Sequence, residues 1–263
     1  MPQTFTLTAQ HREEFDRVGV LRLPGFYAPE IVTPMADALW EDARQRFGIQ
    51  RKRPETWTRE RVFQHQKLEK AGAFDALGTL EMRALGDAFL GAGAWEPPRH
   101  WGAPLVTFPS GTWEVPHSVW HLDLPGADYT ARLPMIRVFV FLSQVRPRGG
   151  GTPYIAGSHN VVMDRARHAG PGEKLRSGEM RKALQREEPW LASLLTPGGE
   201  DRVQRFMVDG GTMRGLPVRV EEMTGEAGDV IVMHPAMFHS VAKNALDRPR
   251  MMQVITLHTP NAW

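Results

Sequence analysis

The stretch "HSVWHLDLPG", residues 117–126, places His121 and Asp123 two positions apart in what reads as the end of a β-strand. Alternate strand residues face the same side. The imidazole and the carboxylate therefore aim at one point, either as a polar strand end or as two-thirds of a metal site. A metal site needs a third ligand from elsewhere. The segment "GDVIVMHPAMFHSVAKN", residues 228–244, offers His234 and His239 with Pro235 between them, a residue that marks a turn or a strand edge.

Outward from that stretch, the chain from about residue 102 is β-rich. "APLVTF", "MIRVFVFLSQ", "GTPYIA", "RFMV", "PVRVEEM", "DVIVMH", "FHSVA" and "MMQVITLH" are short, apolar and separated by Gly, Pro, Asn or Asp. The part before it reads helical. Thr8 is placed to cap "AQHREEFDRVG", which Gly19 ends; a short strand, "VLRLPGF", follows. Pro29 opens "APEIVTPMADALWEDARQRFGI", and "FDALGTLEMRALGDAFLG" is a further helical stretch. Many short strands after a helical start predict a double sheet or barrel with helices packed outside. Residues 160–200 interrupt the strands with charge, Gly and Pro and one expected helix, "SGEMRKALQREEPWLASLL"; so long an insertion reads as functional, such as a lid, or else as flexible. We expect one domain over 1–263, helical over about 1–100, with the β core over about 101–263 and the insertion at about 160–200.

Composition narrows the class. At 41% hydrophobic residues the chain can bury a sizeable core. A net charge of only +2, with the basic residues dispersed, does not suggest nucleic-acid binding. No apolar run approaches the ~20 residues of a membrane span, and "MPQTFTLTAQHREEF" lacks the pattern of a secretory signal. The absence of cysteine removes disulfides, thiolate metal sites and thiol catalysis. The expected location is cytoplasmic and the expected partner a small molecule, with no nucleic acid and no membrane; the oligomeric state stays open.

Two imidazoles and one carboxylate, with the opposite side open for other ligands, form the set used by non-haem Fe(II) oxygenases. Three blocks make the comparison specific. "WHLD" at 120–123, "RPRGGGTPYIAGSHN" at 146–160 and "AGDVIVMHPAMFHSVAKNALDRPR" at 227–250 resemble, in order, the signature blocks of the phytanoyl-CoA dioxygenase family. "FDRVGVLRLPGFYAPE" resembles that family's opening segment. The resemblance implies a mainly β fold with flanking α-helices: a double-stranded β-helix, or jelly roll, with N-terminal helices outside. It also implies Fe(II), 2-oxoglutarate as co-substrate and O₂.

Carried over by position, the resemblance makes His121, Asp123 and His239 the iron ligands and the catalytic centre. His239 is preferred to His234 because the family's ligand precedes the "SxxN" turn. Arg250 takes the role of the arginine that binds the distal carboxylate of 2-oxoglutarate, with Arg248 the alternative. A guanidinium suits this because its planar fork pairs with both carboxylate oxygens. The family often places a hydroxyl two residues after the distal histidine. Here that residue is Val241, beside Ser240, so Thr152 or Thr256 is expected to substitute. Leu122 should point away from the metal, and His159 should be structural.

Related halogenating enzymes lack the carboxylate ligand, so Asp123 implies a hydroxylase rather than a halogenase, acting on an unactivated C–H with release of succinate and CO₂. For the substrate we single out Arg137, which interrupts an apolar strand and must reach solvent or face an anion. His117, Trp113 and Trp120 are candidates for the cavity mouth. A non-redox cupin-like metalloenzyme and a non-catalytic 2-oxoglutarate sensor are the competing readings, and neither the substrate nor the type of oxidation follows from the sequence.

Overall fold

The structure, a computed structural model, describes residues 5–124, 129–130, 132–170, 173, 176–260 and 262. Helix α1 (Ala9–Val18) starts where expected. The Thr8 hydroxyl accepts from the His11 amide at 3.1 Å, the His11 ring accepts from the Thr8 amide, and Gly19 ends the helix at φ 84°. The chain then enters β1 (Val20–Leu23) and α2 (Pro29–Phe47), which has Pro29 in its first turn. A two-residue strand β2 (Arg61–Val62) and a short α3 (Gln66–Lys70) follow. The predicted helix at 74–91 is divided: residues 75–77 form a separate tight turn, and Thr79 caps α4 (Leu80–Leu90). Gly78 and the capping threonine stop helical continuity there.

The β region comprises β3 (Ala103–Thr107), β4 (Met135–Phe141), β5 (Pro153–Ala156), β6 (Gly211–Met213), β7 (Leu216–Glu222), β8 (Val230–Met233) and β9 (Arg250–His258). They build two antiparallel sheets. The larger has the order β1-β8-β4-β9-β3-β2 and the smaller β5-β7-β6. Of the described strands that follow one another in the chain, only β2 and β3 pair within the large sheet, and α3 and α4 lie between them.

Three apolar layers hold this arrangement. The outer face of the large sheet (Ile136, Val138, Val232, Leu257) packs on Phe15, Val32 and Leu39 of the N-terminal helices. Phe139, Phe141, Tyr154, Met223, Met233 and Met252 fill the space between the sheets. The outer face of the small sheet (Ile155, Val218, Val220) meets Trp120 and Leu122. Strands buried on both faces read as near-continuous apolar runs, which is why "MIRVFVF" shows little alternation.

The segment 160–200 is more ordered than the sequence suggested. It holds α5 (Ser158–Arg167), α6 (Ser177–Glu187) and α7 (Pro189–Leu194), so the one expected helix is two, broken at Pro189. Met180, Leu184, Leu191 and Leu194 are fully buried against the small sheet. Burying such side chains stabilises by roughly 1.5–3 kcal/mol each, so these helices are fixed parts of the fold. Two strand assignments fail. "RFMV" lies in a wide helical turn, Gln204–Asp209, because the edge of β7 that it would need is taken by β6. "FHSVA" and the stretch around His121 are extended but make only single bridges, with His239 paired to His121 on one side and Tyr154 on the other. Among the described residues no helix is long and apolar enough to cross a membrane.

Candidate metal centre

The backbone brings the two histidines together. His121 N–H donates to the His239 carbonyl at 3.0 Å, and His239 N–H returns a bond to His121 at 3.1 Å. Residues directly opposite each other in an antiparallel pair point to the same face. Ile155 donates to the Phe238 carbonyl and Ser240 to that of Pro153, which adds this pair to the β5 edge of the small sheet. The alternation expected at 120–123 survives without a regular strand. Trp120 and Leu122 turn outward into the core beneath α5–α7, while His121 and Asp123 turn inward.

One ligand atom from each of His121, Asp123 and His239 lies within 4.8 Å of the others, the only such cluster found among the described residues. Each ring is held through its Nδ1, which donates to a carbonyl: His121 to Val119 at 2.9 Å and His239 to Met237 at 3.1 Å. That leaves both Nε2 atoms free to point inward as bases, the arrangement typical of metal-bound histidines. Burial by itself raises the Asp123 carboxyl, but His239, Arg137 and His121 outweigh it and hold the group well below the usual carboxylate range. Burial and the neighbouring His239 lower the His121 ring. Asp123 Oδ2 is buried without a hydrogen bond. A buried anionic oxygen facing two imidazole nitrogens fits a divalent cation of the iron or zinc type.

The carbonyl that fixes His121 comes from a strained residue. Val119 has φ 62° and is 60% exposed, a conformation that β-branched residues rarely adopt. Ser240 steadies the same loop by donating to the Ser118 carbonyl at 2.8 Å, so its hydroxyl is already engaged. Thr256 is engaged as well: it accepts from Arg137 Nη1 at 2.6 Å. Arg137 does face an anion, but one of the chain's own. Its Nε lies 3.2 Å from Asp123 Oδ2, within ion-pair range though not aligned as a hydrogen bond.

Arg250 opens β9 opposite Thr107 of β3. The guanidinium is 7% exposed. Its Nη2 donates to Thr107 Oγ1 at 2.7 Å and its Nη1 to Thr152 Oγ1 at 3.4 Å. Its Nε is buried without a partner, and no carboxylate pairs with it among the described residues. Burial, with a smaller contribution from Arg61, pushes the group down to about 10, so it stays a cation at neutral pH. Met252, in the next inward position, belongs to the layer between the sheets. Arg248 is different: it is exposed, beside a separate surface hollow with Gln144 and Asp247.

Two contributors were not foreseen. Thr107 could not be, because only the β3–β9 register brings it to Arg250. Asn244 was visible in the "SxxN" pattern but had no assigned role. It is fully buried, donates to the Arg248 carbonyl at 2.6 Å and accepts from the Leu246 amide at 3.0 Å, and so fixes the turn that delivers Arg250. The glycines at 149–151 let the opposing turn press against it. A Cβ on Gly151 would lie 2.1 Å from the Met223 carbonyl oxygen, so only glycine lets Thr152 approach there.

Of the remaining candidates, Trp120 is buried, with its Nε1 donating to the Pro116 carbonyl, yet it also walls a hollow of about 550 Å³ that His117 and His121 line. Trp113 is not part of that hollow; its ring lies under the Arg148 guanidinium. His234 and His159 pack on each other away from the centre, and burial lowers both rings, His159 to about 4.

A profile of the family described as phytanoyl-CoA dioxygenase matches residues 15–252. No curated protein matches in sequence. Among solved structures, AviO1 from Streptomyces viridochromogenes is similar at a TM-score of 0.56 and 20% identity, covering 99% of this chain and 99% of that one. The carbocyclase SnoK of nogalamycin biosynthesis, described as non-haem and α-ketoglutarate dependent, gives 0.57 at 16% identity over 98% of this chain and 87% of that one. HygX from Streptomyces hygroscopicus, solved with nickel and 2-oxoglutarate bound, gives 0.53 at 17% over 98% and 90%. At these identities the likeness concerns the fold.

Proposed function

The chain belongs to the phytanoyl-CoA dioxygenase family, and from that premise we propose that it is an Fe(II)- and 2-oxoglutarate-dependent oxygenase that hydroxylates a C–H of a small molecule. His121, Asp123 and His239 would hold the metal. Arg250 would take the distal carboxylate of 2-oxoglutarate, with Thr107 and Thr152 fixing its fork. The observation that carries this is Arg250 itself: a buried guanidinium with two threonines, an idle Nε and no acid among the described residues. Leaving such a charge unpaired is costly, and a dicarboxylate bound between the sheets would satisfy it. The fold shared with HygX, whose structure holds 2-oxoglutarate, supports the reading.

The topology supports a single jelly-roll domain. In chain order β3, residue 121, β4, β5, β7, β8, residue 239 and β9 change sheet at every step except from β5 to β7, giving β3-β9-β4-β8 facing 121-239-β5-β7. Helices α5–α7, between β5 and β6 in the chain, cover the outer face of the small sheet, and α6 also walls the hollow beside His121.

When bound, iron and 2-oxoglutarate supply oxidation by O₂, in which 2-oxoglutarate becomes succinate and CO₂ and one oxygen atom enters the substrate. The protein's part is placement. The Val119 and Met237 carbonyls aim the two rings, Arg137 braces Asp123 from the large sheet, and Arg250 sets the direction of the co-substrate. Because Asp123 occupies the third ligand position, hydroxylation is favoured over halogenation. Anaerobic titration of the apo-protein with Fe(II) and 2-oxoglutarate tests the reading. A weak visible charge-transfer band, absent in Asp123→Ala and His239→Ala, is expected. Full metal loading with no band, and no consumption of 2-oxoglutarate with O₂, would turn the choice to a non-redox metalloenzyme or a sensor.

A further inference from the structure

Against His121, one of the three metal-ligand candidates, lies the hollow of about 550 Å³, within the size range of small-molecule sites. Residues 117–121 form one wall, and Arg181, Gln185 and Leu195 form the other. Arg181 and Gln185 are four apart on α6 and share a face, about 100° round the helix from the side that buries Met180 and Leu184. Arg181 is half-buried, and among the described residues its hydrogen bond is to the Gln185 amide oxygen at 3.3 Å. No carboxylate pairs with it among the described residues. Arg165 and Arg214, which meet Glu187 at the end of α6, differ: Arg165 pairs with Glu173 and Glu187, and Arg214 with Asp164 and Glu187. In a region so rich in acids, a cation that meets only an amide while facing a cavity is placed for a ligand's anion. Arg137 cannot take that part, because Asp123 and Thr256 already occupy it.

We propose that this hollow is the primary-substrate site and that it selects an organic oxyanion, a carboxylate or a phosphate monoester. The anionic end meets the Arg181 fork and the Gln185 amide, and an apolar body lies along Trp120, Val119 and Leu195 toward His121. A guanidinium pairs with either oxyanion in two-pronged fashion, so the class is set by the charge and the body by the apolar wall. The proposal rests on the oxygenase reading only in calling this ligand the substrate.

The test is calorimetric binding to Zn(II)-loaded protein, with and without saturating 2-oxoglutarate, using octanoate, octyl phosphate, octanamide and octylamine as probes. The two acids should bind at least ~10-fold more tightly than the amide, the size of one charge-assisted hydrogen bond, and the amine should not bind. Arg181→Gln should bring the acids to the level of the amide, Arg181→Lys should restore part of the difference, and Arg250→Met should leave it intact. The tighter acid identifies carboxylate or phosphate as the natural group. Equal binding of acid and amide, unchanged acid binding in a folded Arg181→Gln, or no acid binding at all would overturn the proposal. Loss of 2-oxoglutarate binding with Arg181-dependent acid binding retained would instead overturn the oxygenase reading alone.

Discussion

β4 and β9 run side by side through seven paired residues, whereas His121 and His239 meet in a single backbone pair at the rim of the small sheet. The groups each region carries differ in the same sense. The large sheet presents Arg137 and Arg250 from continuous ladders buried on both faces. The small sheet presents the metal ligands from extended segments that loops flank on both sides. A guanidinium that must meet a carboxylate with correct direction gains from a rigid support. Metal ligands receive part of their alignment from the ion, and need only the two Nδ1 bonds to set the rings. The irregular rim then leaves space for the hollow beneath α6.

The contrast breaks most sharply at the ligands. Asp123→Ala or His239→Ala should lower metal affinity by more than ~100-fold, the upper range for losing even a supporting residue, with the fold retained because the large sheet is untouched. Calorimetry with Zn(II) and a far-ultraviolet dichroism spectrum would check both halves.

On the large sheet the expected effect has two opposite signs. Arg250→Met should weaken 2-oxoglutarate by about 2–5 kcal/mol, the cost of truncating one partner of a buried charge pair. The same change should stabilise the ligand-free protein by about 1–4 kcal/mol, because an unpaired buried cation gives way to an apolar side chain. Arg248→Ala should do neither. Urea denaturation with and without 2-oxoglutarate separates these outcomes.

Acid should act through His159, at the start of α5. Its Nε2 donates to the Asp16 carbonyl at 3.0 Å, and burial holds the ring at about 4, against about 6.5 in the unfolded chain. Between those values the unfolded chain binds the proton and the folded one does not. Stability is therefore complete above about pH 6.5 and falls by roughly 3 kcal/mol as the pH drops toward about 4. His159→Gln, which keeps a donor for Asp16, should reduce the slope of that part of the pH profile of the urea midpoint, the remainder belonging to His234, whose ring burial lowers as well. An unchanged slope would remove His159 as the cause.

Smaller effects refine the picture. Asn244→Ala strands the Arg248 carbonyl and the Leu246 amide, so it should cost about 1–3 kcal/mol of stability and weaken 2-oxoglutarate without altering metal affinity. Val119→Gly should raise stability by about 1 kcal/mol or less, since relief of the left-handed strain is partly offset by glycine's greater unfolded entropy. It should also loosen the carbonyl that holds His121, which a small fall in metal affinity would reveal.

Helix starts were legible because caps act over three or four residues: Thr8, Pro29 and Gly19 do what their types dictate. The inward–outward alternation of Trp120, His121, Leu122 and Asp123 was legible for the same reason, even though no regular strand forms there. "RFMV" and "FHSVA" failed because β structure depends on a partner with a free edge, which no window of a few residues contains. The sequence by itself determined the kinds of groups and their order: an imidazole, a carboxylate, a second imidazole, and an arginine beyond the turn at Asn244. Only the tertiary structure decided that Arg250 rests on Thr107, that Arg137 is spent on Asp123, and that Arg181 faces a hollow with no acid beside it among the described residues. Those facts follow from register and packing between segments tens to more than a hundred residues apart. Such contacts are fixed by burial of all three apolar layers together and leave no local mark in the chain.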